Sequence, residues 1–283
     1  MKYRLLLIVL LAAILFQTGC SSQTSQTPIE NQPTMMVIEE KPPESGALMV
    51  FASGSLTQPF TELGALFEAQ HPGTKVNFNF QNANMLAQQI GQSAPADVFA
   101  SAAEKFMTTV VDTTGRVNKD DVVIFARNKL VIIYPKNNPA NMQTLQDLAR
   151  PGVKLVIGAK EGPQGIYVEN FLTKASQGPD FTPNYKEDVY KNVVSYESTV
   201  NGVVTKVSLG EADAGIVFFS DSQGNNVEKV NILEIPNAIN VEARYPIAPI
   251  KDSQNFEMAK SFVDFVLSPT GQEVLRKYGF LAP

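Results

Sequence analysis

A single cysteine, Cys20, and a single histidine, His71, in 283 residues exclude an internal disulfide and leave no Cys/His cluster for a transition metal. His71 falls in the hydrophilic segment Gln70-His-Pro-Gly73, whose composition reads as a surface turn. Positive charge is also scarce. The chain has 23 Lys and Arg against 28 Asp and Glu, a net charge of -5, which argues against nucleic acid or an acidic membrane surface as partner. No internal repeat or heptad pattern is evident. The apolar run at 5–16 is 12 residues long, short of the ~17 to 20 that span a bilayer.

That run does have a clear use. Lys2 and Arg4 precede it and Cys20 follows, so residues 1–19 read as a signal peptide. Gln17-Thr18-Gly19-Cys20 resembles the lipobox of bacterial lipoproteins, although Gln17 stands where an aliphatic residue is usual. The resemblance implies lipid attachment at Cys20 and an extracytoplasmic protein anchored to the bacterial cell membrane. Residues 20–46, rich in Ser, Thr, Gln, Pro and Glu, cannot bury enough apolar surface to offset ordering entropy and are expected to form a flexible tether.

The remaining chain, about 238 residues, suffices for one large domain or two lobes. Its patterning alternates strand and helix. Residues 48–52 read as a strand, and Pro59, Phe60, Leu63, Leu66 and Phe67 follow at helical spacing. Val76, Phe78 and Phe80 alternate as a strand before the helical pair Leu86 and Ile90. Residues 97–100 form a further strand, followed by Ser101-Ala-Ala-Glu104 with the spacing of a capping box. Residues 122–134 are strand-like but interrupted by Arg127-Asn128-Lys129, so two strands or one crossing strand fit equally. Strands at 153–159, 192–196, 214–219 and 230–235 and two closing helices complete the reading. This is the signature of an α/β fold with parallel strands covered by helices.

Four polar turns fall at carboxyl ends of strands, each ahead of a helix: Ser53-Gly-Ser55-Leu-Thr57, Gln81-Asn-Ala-Asn84, Gly162-Pro-Gln-Gly165 and Ser198-Thr-Val-Asn-Gly202. Helix starts offer unpaired N–H groups and the positive end of a dipole, so turns of this kind facing one cleft would bind an anion. A single such turn is ordinarily only a cap.

The motifs Phe51-Ala-Ser-Gly-Ser-Leu56, Leu86-Ala-Gln-Gln-Ile90, Ala94-Pro-Ala-Asp-Val-Phe99, Pro163-Gln-Gly-Ile-Tyr167, Ala214-Gly-Ile-Val217 and Lys277-Tyr-Gly-Phe280 occur in this order. The ordered set resembles the periplasmic molybdate-binding proteins of ABC importers over nearly all of 47–283. The resemblance implies a type II, two-lobed periplasmic-binding-protein fold, each lobe a mixed sheet flanked by helices, with two hinge crossovers. One lobe would comprise 47–127 and 224–283, the other 128–223.

Carried over residue by residue, the resemblance makes Ser55 a hydroxyl and N–H donor to an oxyanion. The second serine of the family falls at Ala83, where backbone N–H remains and Asn82 or Asn84 would substitute for the hydroxyl. Gln164 and Val200 match positions that bind through backbone N–H. Phe218 stands where a tyrosine hydroxyl is common and cannot donate. A fully deprotonated tetrahedral dianion has only acceptors, so donor groups alone satisfy it, whereas hydrogen phosphate also calls for an acceptor such as a carboxylate. Glu161 and Glu197 flank the later turns and read as surface residues. The expected ligand is molybdate or tungstate, with no cofactor, no catalysis, an ABC permease as partner and a monomeric state. A binding protein for another oxyanion or a small organic acid remains open, as does a hydrolase using Ser55, although the Gly-x-Ser-x-Gly elbow is absent.

Overall fold

The computed structural model describes residues 46–283. The signal peptide, Cys20 and all but the last residue of the tether lie outside the described residues. Strand β1 (Gly46–Ser53) leads through a 3-10 turn (Gly54–Leu56) into helix α1 (Thr57–Gln70), and β2 (Thr74–Gln81) leads into α2 (Ala83–Gly91). β3 (Val98–Ala100) precedes α3 (Glu104–Thr109), β4 (Val123–Pro135) follows, and β5 (Leu155–Gly158) feeds α4 (Pro163–Ser176). Next come α5 (Tyr185–Lys191), β6 (Val193–Glu197), α6 (Val200–Ser208), β7 (Ala214–Phe218) and β8 (Val230–Glu234). β9 (Glu242–Pro249), α7 (Phe256–Leu267) and α8 (Pro269–Lys277) close the chain.

The helices form where the apolar spacing is helical. On α1 the buried residues are Pro59, Phe60, Leu63, Gly64 and Phe67, one stripe facing the sheet. Phe60, Leu63 and Phe67 are fully buried, and each contributes about 1.5–3 kcal/mol by leaving water. Gly64 permits the close approach: a Cβ there would stand 2.7 Å from the Phe78 ring of β2. Ser101-Ala-Ala-Glu104 does not form the capping box expected of it. Ala103 is the N-cap of α3, and the Ser101 hydroxyl instead donates to the Ala103 carbonyl and accepts its N–H.

The strands form one sheet in the order β2-β1-β3-β9-β4-β7-β5-β6, with β8 also paired to β4. β1 pairs in parallel with β2 and β3, and β5 with β6 and β7. These two parallel sets are joined by antiparallel strands. β4 is one continuous strand, which settles the open reading: Val123 to Lys129 pair with β9, and Leu130 onward pair with β7 and β8. Arg127 and Lys129 do not break it because strand alternation sends both outward, to Glu242 and Glu234, while Asn128 between them is buried and hydrogen-bonded. β9 is a strand that the sequence reading did not include. By pairing, β8 belongs with the second half of β4, so the return from that half lies between Glu234 and Glu242.

Candidate functional site

β1, β2, β5, β6 and β7 end at one cavity, lined by their last residues Ser53, Gln81, Gly158, Glu197 and Phe218. Carboxyl ends of parallel strands are where open α/β sheets take ligands. The cavity is small: about 330 Å³ of space between atoms, open mouth included. No lysine, arginine or histidine is among its lining residues.

All four polar turns reach it; three open the helices α2, α4 and α6, and the first reaches it through the 3-10 turn Gly54–Leu56 that leads into α1. The first N–H groups of a helix have no carbonyl one turn back, so these starts direct donors and positive dipole ends at the cavity. Ser55, Ala83, Gln164, Val200 and Phe218 line it together. Asn84 does not. One residue further along α2, it is turned about 100° around the helix axis. Its N–H is capped by the Asn82 Oδ1 at 3.0 Å, and its own Oδ1 accepts from Gln88 Nε2 at 3.3 Å. Asn82 is the residue that reaches across, with Nδ2 donating to the Ser198 carbonyl at 3.2 Å. Gly162 on the facing turn leaves room for it, since a Cβ there would lie 2.2 Å from the Asn82 Nδ2.

Ser53 was not singled out as a site residue by the sequence reading, yet it lines the cavity while 3% exposed. Its oxygen accepts the Ala102 N–H at 2.8 Å. The signal was present, because Ser53 and Ser55 are two residues apart at a strand end. Ser198 and Thr199 likewise join the lining. Glu197, read as a surface residue, is also part of the wall. Its Oε1 is occupied by Lys206 at 2.6 Å and Ser195 at 2.5 Å, and these partners, Lys206 foremost, hold its pKa below the usual carboxylate value. The carboxylate charge is therefore compensated. Glu161 is not among the lining residues.

Phe218 is 1% exposed and packs edge-on against Tyr167 and Tyr245, at 5.7 and 5.8 Å between ring centroids. Its N–H donates to Asp221 Oδ2 at 3.1 Å. Burial pushes the Asp221 carboxyl up to about 8, with the Phe218 N–H acting against that rise. Asp221 is thus largely neutral at pH 7, and no bare negative charge sits beneath this end of the cavity. Gln164, buried, donates its Nε2 to the Ile216 carbonyl; its Oε1 rests over Gly158 without a hydrogen-bond partner among the described residues. His71 lies elsewhere, stacked on Phe67 at 3.9 Å with Nδ1 near the Phe67 carbonyl. No group of His, Cys, Asp and Glu suited to a metal ion occurs among the described residues. Within the same residues no helix is long and apolar enough to cross a membrane.

Residues 48–281 match the family described as bacterial extracellular solute-binding protein. The molybdate-binding protein ModA of Mycobacterium bovis is 35% identical over 243 residues, covering 85% of this chain and 87% of that protein. The putative ABC transporter substrate-binding lipoprotein YvgL of Bacillus subtilis is 30% identical over 277 residues, 97% of this chain and 96% of its own. Among solved structures, the substrate-binding domain of a putative molybdenum ABC transporter from Clostridium difficile superposes with a TM-score of 0.62 at 29% identity, covering 84% of this chain and 99% of that one. The mixed α/β architecture is accordingly that of the periplasmic binding proteins. With its family match spanning nearly the whole described region, the chain belongs to the bacterial extracellular solute-binding proteins.

Proposed function

We propose that this protein captures a tetrahedral oxyanion, molybdate or tungstate, and delivers it to the permease of an ABC importer without catalysing a reaction. The observation that carries this reading is the convergence of four helix-opening turns on one small cavity with hydroxyl donors and no basic side chain. A dianion there is held by N–H and O–H dipoles, and roughly half a dozen charge-assisted bonds can offset its desolvation. The names of the M. bovis and B. subtilis relatives point the same way. Against hydrolysis stands the placement of the single histidine on Phe67, away from Ser55, so that no imidazole base serves that hydroxyl.

Closure about the strands that join the two parallel sets would trap the anion, because each set contributes two of the four turns. The lobes would divide as 47–127 with 224–283 against 128–223, except that β8 (Val230–Glu234), paired to the second half of β4, would go with 128–223. Native mass spectrometry of the mature protein with molybdate, tungstate, sulfate and phosphate tests the ligand. Retention of molybdate or tungstate as one ion per monomer supports the reading, and retention of none of the four defeats it. The lipid anchor at Cys20 is part of the same proposal. Cys20→Ser is expected to release the protein from the membrane fraction with oxyanion binding intact; unchanged membrane retention would remove the anchor from the reading.

A further inference from the structure

Two of the hydroxyls that line the cavity, those of Ser53 and Ser55, are held by other protein groups. Tyr245, on β9, is fully buried, and its ring is fixed edge-on by Phe125, Phe218 and Phe280, at 6.2, 5.8 and 5.3 Å. Its hydroxyl has two polar neighbours: Ser55 Oγ at 3.2 Å and Asn128 Nδ2 at 3.5 Å. The orientation of the Asn128 amide is set by its other contacts. Its Oδ1 accepts the Lys129 N–H at 2.9 Å, and its Nδ2 also donates to Ser220 Oγ at 2.8 Å. An amide nitrogen cannot accept a proton, so the face that Asn128 presents to Tyr245 is donor only. The Tyr245 oxygen therefore receives, and among the described residues its hydrogen has one acceptor within reach, Ser55 Oγ. A serine oxygen that accepts from the rear keeps its own hydrogen for the front, where the cavity lies. Ser53 is in the same position, with the Ala102 N–H donating to its oxygen at 2.8 Å.

We infer that Tyr245, oriented by Asn128, is a positioning residue that locks the Ser55 hydroxyl as a donor into the cavity, and that Ser53, locked by the Ala102 N–H, is a second hydroxyl donor of the site. The inference rests on the oxyanion reading and deepens it. Two hydroxyls that are free to rotate would serve a protonated anion as well as a bare one, since each could accept as readily as donate. Two locked hydroxyls favour an anion with acceptors only. Selectivity for molybdate over hydrogen phosphate is thus written into groups that never touch the ligand, and Ser53 supplies a hydroxyl in a site where Ala83 and Phe218 have none.

The test is a double-mutant cycle on the full mature chain, read by calorimetry at pH 8 with molybdate and with inorganic phosphate. Tyr245→Phe is expected to weaken molybdate several-fold and phosphate less, so that the ratio of the two dissociation constants narrows by about tenfold or less. Combined with Ser55→Ala it should add little, because the tyrosine acts through that hydroxyl. Equal weakening of both anions, or full additivity with Ser55→Ala, overturns the lock. Ser53→Ala gives an independent reading should Tyr245→Phe fail to fold: molybdate is expected to weaken about tenfold, as for a lost hydrogen bond to a charged partner, and an unchanged dissociation constant overturns the second donor. Wild-type protein that binds no molybdate defeats the functional reading and the lock with it. Molybdate binding by the wild type with an additive cycle defeats the lock alone.

Discussion

The cavity wall built from β1 and β2 presents two hydroxyls held by other protein groups, Ser53 and Ser55, whereas the wall built from β5, β6 and β7 presents helix starts at Gln164 and Val200 beside an apolar ring, Phe218, together with Ser198 and Thr199. On the first wall residue identity decides what can bind. On the second, Gln164 and Val200 are expected to act through the backbone and Phe218 by packing. Such a division predicts opposite mutational behaviour on the two sides.

The sharpest way to break this comparison is at Val200, the first residue of α6, where proline is tolerated by the helix but brings no N–H. Thr199 before it has extended backbone, at φ -136° and ψ 155°, as a residue preceding proline requires. Val200→Pro is expected to weaken molybdate by about 1.5–3 kcal/mol with little change in melting temperature, while Val200→Ala leaves affinity nearly unchanged. Calorimetry on both variants measures the backbone share, and equal losses would show that the valine side chain matters instead.

Ser55→Ala probes the other wall. A loss toward the lower end of the same ~1.5–3 kcal/mol is expected, because a water admitted into the space can donate in its place. A lowered melting point with an unchanged dissociation constant would reduce Ser55 to a structural turn residue. Phe218→Tyr would add a hydroxyl to the second wall at its apolar ring. It is expected to tighten molybdate by about 1 kcal/mol if the hydroxyl finds an anion oxygen; weaker binding would mean that the ring is an apolar wall for a different ligand.

A further effect concerns pH. Asp221 titrates near 8 when folded, above the ~3.9 of an unfolded carboxyl, so the stability it confers is present below about pH 4 and is lost as pH rises through 8. A dianion bound nearby favours the neutral carboxyl further. Melting temperature and molybdate affinity should both decline modestly from pH 6 to 9 in the wild type, and Asp221→Asn should flatten both profiles. Parallel declines in the variant would assign the dependence to other groups.

Much of this architecture was legible in the sequence, and the exceptions have causes. The helix at Thr57–Gln70 and the strand at Val193–Glu197 follow their apolar patterns closely. β9 was missed because Pro246 and Pro249 interrupt its pattern and Arg244 breaks the apolar run, yet antiparallel pairing with β3 and β4 on its two sides holds it in place. The same omission hid Tyr245, whose partners Ser55 and Asn128 are 190 and 117 residues away in sequence. Asn84 was grouped with the cavity from its place in a polar turn. The turn ends at Asn82; Ala83 and Asn84 are both helical, and the turn of the helix between them leaves Ala83 at the cavity and Asn84 beside Gln88.

Local chemistry in the sequence determined the strands other than β9, the helix starts and the donor character of the four turns, because these depend on neighbours within a few residues. Only the tertiary structure decided that the turns share one cavity, that Ser53 belongs to it, that Glu197 enters it neutralised by Lys206, and that the Ser55 hydroxyl meets that of Tyr245. Those outcomes depend on distances between groups far apart in the chain, set by how β4 and β9 join the two parallel sets. Strand pairing fixes such distances, and no local pattern encodes them.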